Sequence, residues 1–270
     1  MLKLELSEKK NDYKLRFHQL KYKIRARFQF VQLQLILMNS AKAKLQELVY
    51  KFLDPLVKLL VKLGITPNMI TFLGLIITMA STVVLIYGAE VGDRNNHRFM
   101  GYAGIIILLA GAMDMLDGRL ARLNNQAHPF GALYDSVIDR YSELIMFFGF
   151  CYYMVTQNYL FTSIFCFIAM IGSIMVSYTR ARAEGLGVNA SVGIMQRPER
   201  IVLVAVSSIL TSIISSQIGG DYKINVEWLD QPLFETISIF SWPIFFLAIS
   251  ANITAVRRLL FAKKELYSKS

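Results

Sequence analysis

The sequence predicts an all-α polytopic membrane protein, with six transmembrane helices and, before them, amphipathic helices that lie on the membrane surface. Three observations lead there. Of 270 residues, 54% are hydrophobic, and the mean hydropathy of +0.43 is that of a multi-span chain rather than a water-soluble domain. The apolar residues gather into six stretches, each near the ~20 residues that ~30 Å of hydrocarbon requires. The 29 Lys and Arg residues fall almost entirely into alternate segments between those stretches.

Residues 1–63 form a basic amphipathic arm. They carry 14 of the cations, interleaved with Leu, Ile, Phe and Tyr, and hold no uncharged run long enough to span a bilayer. From Tyr22 to Met38 cations alternate with Phe28, Phe30, Val31, Leu33, Leu35, Ile36 and Leu37, which suits a helix lying on anionic headgroups. Residues 45–63 form a second such helix ending at Gly64, before the Thr66-Pro67-Asn68 turn. A disordered basic tail is the alternative reading; nucleic-acid binding is less favoured, since basic tails are common on membrane proteins. Lys3, Lys9, Lys10, Lys14 and Arg16 with no long apolar core argue against a cleavable signal peptide.

The six-helix domain occupies 64–262. Its first span runs from after Pro67 to about Gly88, the second from Phe99 to about Asp117, and the third from about Leu133 to Val155. The remaining three cover about 158–179, 201–217 and 236–256, and 263–270 is a basic tail. An even number of spans puts both termini on one side. Taking that side as cytosolic places 26 cations inside and only Arg94, Arg98 and Lys223 outside, the bias of the positive-inside rule. The expected location is therefore the cell (inner) membrane, with both termini cytosolic. Cys151 and Cys166 lie in apolar runs and read as buried free thiols. His18, His97 and His128 are scattered and support no histidine metal site; Trp228, Trp242 and most tyrosines read as interfacial anchors or packing.

The chemistry-bearing stretch is Asp114–Asp139, at the cytosolic mouth of the second and third spans. Asp114, Asp117, Gly118, Ala121 and Arg122 fall at i, i+3, i+4, i+7 and i+8, so they share one helix face, and Asp135 and Asp139 share a face of the next helix,. Asn124, Asn125, His128 and Pro129 break the chain between them,. Two antiparallel helices joined there can aim four carboxylates into one space, and the repulsion between them calls for a counter-charge. Hard divalent cations meet that need with oxygen ligands, and two of them suit phosphoryl chemistry. Carboxylates that merely pair with Arg119, Arg122 and Arg140 would need neither this spacing nor the two glycines. At roughly 2.5–3.5 kcal/mol for each buried charge on insertion scales, the cluster implies a role.

The run Asp114-x2-Asp117-Gly118-x2-Ala121-Arg122-x8-Gly131-x3-Asp135-x3-Asp139 resembles the signature of the CDP-alcohol phosphatidyltransferases at all eight positions, and a looser likeness extends over roughly 55–262. The resemblance implies attack of an alcohol hydroxyl on the lipid-side phosphorus of a CDP-lipid such as CDP-diacylglycerol, expelling CMP. It implies that Asp114, Asp117 and Asp135 ligate two divalent cations, Mg2+ or Mn2+, with Asp139 contributing to the same centre and acting as general base. Asp114, Asp117, Gly118, Ala121, Arg122 and Gly131 would border the CDP-lipid; for the glycines, close helix packing is an alternative that can hold at the same time. Asn68 and Thr71, in TPNMIT, resemble a turn beside the nucleotide site, although Pro67-Asn68 is also a good helix start.

A second cationic cluster bears on the acceptor. SYTRARAEGLG and GIMQRPERIV resemble the phosphatidylinositol-phosphate and archaetidylinositol-phosphate synthases of that family. By that likeness Ser177, Arg180, Arg182, Arg200 and Arg258 surround the phosphate of the acceptor, most simply inositol phosphate. Position 180 carries arginine where the subgroup more often has lysine, which keeps the charge and changes the donor geometry. Glycerol 3-phosphate is the rival acceptor, and snorkelling anchors are the rival role for the arginines. A divalent-cation carrier is the rival from another class, but it predicts carboxylates spread through the membrane depth rather than gathered at one face. A homodimer follows from the family likeness alone, and no nucleic-acid partner is implied.

Overall fold

The computed structural model describes residues 54–94, 96–123, 128–193, 195–225, 232 and 234–269. The chain divides into two compact units, 1–59 and 60–270. Within the first only 54–59 are described, and they are helical; the predicted Tyr22–Met38 helix lies outside the described residues. Gly64 takes φ +71° and ends the helical turn before it, with Ile65 N–H returning to Leu60 O at 3.1 Å, as a glycine-terminated helix end does.

Six long helices build the second unit: α1 (Pro67–Val91), α2 (Arg98–Leu123), α3 (Pro129–Thr156), α4 (Leu160–Glu184), α5 (Arg197–Ile218) and α6 (Ser238–Lys269). Three starts are set by proline in the first turn, where the missing N–H costs nothing: Pro67, Pro129 and Pro198. His128 caps α3 through Nδ1, which accepts from Phe130 N–H at 3.1 Å. Gln196 and Glu199 form a reciprocal capping box on α5,. Each expected span lies in one of these helices. The starts of α3 and α5 come about four residues earlier than apolar runs suggest, because charged turns at the helix mouths are helical too. Helix α6 likewise continues through the basic tail to Lys269. A two-residue antiparallel ladder, β1 (Lys223–Ile224) with β2 (Phe234–Glu235), adds a hairpin before α6.

Five of the helices are long and apolar enough to cross a membrane: α1, α2, α4, α5 and α6. Helix α3 is long enough at 28 residues, but Asp135, Asp139, Arg140 and Glu143 lower its apolarity. The outer surface of the six helices carries exposed Phe148, Phe167, Trp242 and Leu259. Each helix packs principally on two others, in the cyclic order α1, α2, α5, α6, α4, α3 and back to α1. The buried core inside this ring includes Leu85, Met100, Ile107, Phe147, Phe150 and Phe240, with the Phe150 and Phe240 rings stacked at 4.9 Å. Small residues bring the backbones together: a Cβ at Gly104 would lie 2.7 Å from Ala205 O. Thr82 also donates across to Ile145 O at 2.8 Å.

At the end of the ring away from the aspartates, the loop between α1 and α2 is tied to the hairpin. His97 is fully buried, 4.0 Å from Asp221, and neither ring nitrogen has a hydrogen bond. Glu235 pairs with Lys223 at 2.9 Å and Arg94 at 3.7 Å. Tyr159 donates to Asp221 at 3.3 Å under the Arg94 guanidinium. Burial, reinforced by Arg94 and opposed by Glu235, holds the His97 imidazole well below its usual range, at about 4. The unfolded chain binds that proton near pH 6.5, so stability is fully present above pH 6.5 and falls as pH drops toward 4. The loss reaches roughly 3 kcal/mol at most. Thermal unfolding in detergent from pH 7 to pH 4 should show this acid-side decline, and His97→Phe should flatten it.

Candidate active site

Aspartates 114 and 117 lie in the last turns of α2, and Asp135 and Asp139 in the first turns of α3. The two helices do not pack extensively on each other; each packs instead on α1. The cleft between them is lined with carboxylates, and α1 forms its third wall. Thr71 on α1 donates to Asp117 Oδ2 at 2.6 Å and holds that buried carboxylate in one orientation. Asn68, one turn earlier, lies beside Gly131: a Cβ on Gly131 would meet Asn68 Oδ1 at 3.5 Å. The structure therefore brings together Asn68, Thr71, the four aspartates and Gly131.

Around Gly118 and Gly131 the protein leaves room. A Cβ at Gly118 would find its nearest neighbour, Arg122 Nη2, at 3.8 Å, an ordinary van der Waals distance. Helix packing alone does not require glycine at either position. Arg122, whose Nε donates to Gly118 O at 2.9 Å, and half-buried Ala121 complete this face.

The counter-charge in the cleft is Arg197, the first residue of α5. Its Nη1 donates to Asp114 Oδ2 and lies 2.9 Å from Asp139 Oδ1, so one guanidinium bridges α2 and α3. The fit is incomplete. Arg197 Nε is buried without a hydrogen bond, and an unmet buried polar group costs roughly 1–3 kcal/mol. As the side chains stand, no three His, Cys, Asp or Glu residues among the described ones converge closely enough to enclose an ion. Arg140 is spent on Ser136, donating from Nη1 to its carbonyl and hydroxyl.

Below the aspartates a cavity of about 20 Å3 is lined by Thr78, Asp114, Ser142, Glu143 and Arg197 among others; it is large enough for one water, which needs roughly 10–15 Å3. Glu143 continues the i, i+4 series of Asp135 and Asp139, yet its partner is Arg200: Nε to Oε1 and Nη2 to Oε2, both at 2.9 Å. The pair is essentially inaccessible, at 1% and 2% exposure. Arg200 also donates from Nη1 to Met195 O at 3.1 Å.

The five acceptor-side residues are placed unequally. Ser177 is half-buried, and Arg180 and Arg182 are exposed, Arg180 in an i, i+4 pair with Glu184 at 2.8 Å. Arg258 is buried, donating to Val192 O at 2.8 Å and Val176 O at 2.7 Å. Arg180 and Arg200 each lie within electrostatic reach of Arg258. Two of the arginines thus have exposed side chains, and two are committed to protein partners. The 185–196 loop crosses this region against α6, where a Cβ on Gly193, at φ +132°, would lie 2.2 Å from Thr254 Cγ2.

This fold is shared with known proteins. A profile for CDP-alcohol phosphatidyltransferases matches residues 64–249. The chain belongs to the CDP-alcohol phosphatidyltransferase family. The archaetidylinositol phosphate synthase of Pyrococcus horikoshii is 31% identical over 225 residues, covering 83% of this chain and 97% of that protein. The phosphatidylinositol phosphate synthase of Mycobacteroides abscessus is 32% identical over 170 residues, 62% of this chain and 72% of its own. Among solved structures, the Mycobacterium tuberculosis phosphatidylinositol phosphate synthase with CDP-DAG bound shares the fold. It has a TM-score of 0.61 and 24% identity, covering 77% of this chain and 92% of that one. The chain is accordingly a membrane transferase of phospholipid synthesis, taking a CDP-lipid donor and an alcohol acceptor.

Sequence reasoning missed two residues. Glu143 was visible as the third member of an i, i+4 series, and Arg197, within the GIMQRPERIV run, was assigned no site because its reach across to α2 and α3 is a tertiary fact. Glu143→Ala should cost roughly 3–5 kcal/mol by stranding Arg200, whereas Arg180→Ala should cost no more than about 0.5 kcal/mol; detergent melts of the two variants compare them. Gly118→Ala should gain up to about 1 kcal/mol of helix stability while turnover of CDP-lipid falls, a divergence that helix packing would not produce.

Proposed function

We propose that this CDP-alcohol phosphatidyltransferase joins a CDP-lipid to inositol phosphate and releases CMP. The observation that carries the proposal is the carboxylate cleft between α2 and α3, with the arginine-bearing ends of α4, α5 and α6 close to it. Relatives named as inositol phosphate synthases support the acceptor. Both candidate acceptors bring a phosphate, so glycerol 3-phosphate is the second reading.

Two divalent cations, Mg2+ or Mn2+, fit the donor set. Four hard carboxylate donors sit at the helix mouths, and a cation already bridges two of them, Asp114 and Asp139, through the Arg197 guanidinium,. A related structure was solved in complex with manganese and citrate. Asp114, Asp117, Asp135 and Asp139 would hold the cations, which when bound supply charge stabilisation at the attacking and leaving oxygens.

The chain's own residues do the rest. Asn68 and Thr71 fix the α1 wall, and Thr71 keeps Asp117 oriented. Gly118, Ala121 and Gly131 leave space for the nucleotide and its phosphates. Arg122 offers a planar donor fork to them. Asp139 takes the proton from the acceptor hydroxyl, whose oxygen then bonds to the lipid-side phosphorus as the bond to the CMP oxygen breaks. Ser177, Arg180 and Arg182 receive the acceptor phosphate, with Arg200 and Arg258 setting the charge behind them. Helix α3 is the sixth span, the site and both termini face the cytosol, and the enzyme is a homodimer. Residues 1–63 hold the membrane surface, 64–262 form the catalytic domain and 263–270 the basic tail.

The test is CMP release by purified protein with CDP-diacylglycerol and Mg2+, offered inositol phosphate, glycerol 3-phosphate, inositol or serine in parallel. Release with inositol phosphate alone is expected, and Asp139→Asn should lower it by about 10²–10⁴-fold. Release with glycerol 3-phosphate alone would overturn the acceptor and leave the chemistry standing.

A further inference from the structure

We infer that Arg197 is a built-in counter-ion of the carboxylate cleft: its guanidinium holds Asp114 and Asp139 together when no metal is bound, and incoming cations must displace it. The inference rests on the reading of the four aspartates as a metal site. Arg197 stands on α5, apart from the helices that carry the aspartates, and its Nη1 is shared between a carboxylate of α2 and one of α3. That is the bridging position a cation would take between the two helices. Arg140, the other cation within electrostatic reach, sits on the aspartates' own helix and is occupied by Ser136.

The arginine is held in a way that lets it leave. Its Nε is buried without an acceptor, so the side chain is fixed by ion pairing rather than by a full set of hydrogen bonds. Beside it lies the water-sized cavity whose wall includes Glu143, a carboxylate within electrostatic reach of the guanidinium. A guanidinium displaced from the aspartates would still feel the Glu143 carboxylate, although Glu143 is already paired with Arg200. Because one form pairs the aspartates and the other ligates metal, apparent metal affinity is reduced by the fraction of molecules in the paired form.

The experiment is Mn2+ binding to the purified full chain in detergent, read from the free Mn2+ signal by electron paramagnetic resonance, with melting in chelator and in excess Mn2+. Arg197→Gln should tighten Mn2+ binding by about tenfold, the factor expected if roughly nine molecules in ten are in the paired form. It should also lower the melting temperature in chelator, and Mn2+ should restore it. Arg140→Gln, which removes a nearby charge without removing a bridge, should shift binding by less than about threefold. Equal shifts in the two variants, or unchanged or weaker binding in Arg197→Gln, would overturn the inference. If Arg197→Gln does not fold, Arg197→Lys keeps the charge without the planar fork and should tighten binding to an intermediate degree; unchanged binding there counts against the inference. Asp114→Asn separates the two ideas: a wild-type protein that takes up no Mn2+, or an Asp114→Asn variant that binds as well, would sink the metal-site reading itself.

Discussion

Four carboxylates share the mouths of two helices in a setting where charge is poorly solvated, and the rest of the structure accommodates that fact. Like charges this close cannot be packed against one another. The helices that bear them, α2 and α3, accordingly rest on α1 rather than on each other. The gap is a consequence of the repulsion, and it is also where a charged donor can enter. Thr71 donates to one carboxylate and Arg197 reaches two more, so the neighbouring helices, α1 and α5, are drawn into the same electrostatic arrangement.

The helices and the aspartates were legible in the chain because both obey local rules. Apolar runs of membrane length bounded by Pro67, Pro129 and Pro198 fix the elements, and i, i+3 and i+4 spacing fixes which carboxylates share a face. Membership of the CDP-alcohol phosphatidyltransferases follows from the same octet. What spacing does not encode is the pairing of side chains distant in sequence. Arg197 and Asp114 are 83 residues apart and Arg200 and Glu143 57, and nothing local distinguishes Arg197 from Arg200, three positions along one turn. The ring order of the helices and the β1–β2 hairpin were likewise beyond local reading, since each depends on which surfaces meet.

On the acceptor side, the arginines divide by burial. Arg200 and Arg258 have the guanidinium group in protein, on a carboxylate and on two carbonyls, while Arg180 and Arg182 are exposed. Buried cations of this kind shape a pocket through their field and through the backbone they clamp, here the 185–196 loop and the start of α5. Exposed ones can move to meet a ligand.

The two ends of the ring differ in how they are fastened. At one end, His97, Asp221, Glu235, Lys223, Arg94 and Tyr159 bind the α1–α2 loop, the head of α4 and the hairpin into a single knot. At the other end, roughly 24 Å along α2, the Arg197 guanidinium is shared between Asp114 and Asp139 and ties the two helices across the cleft. One end of the bundle is thus fastened by a cluster of loop contacts, and the other by a side chain lent from a third helix.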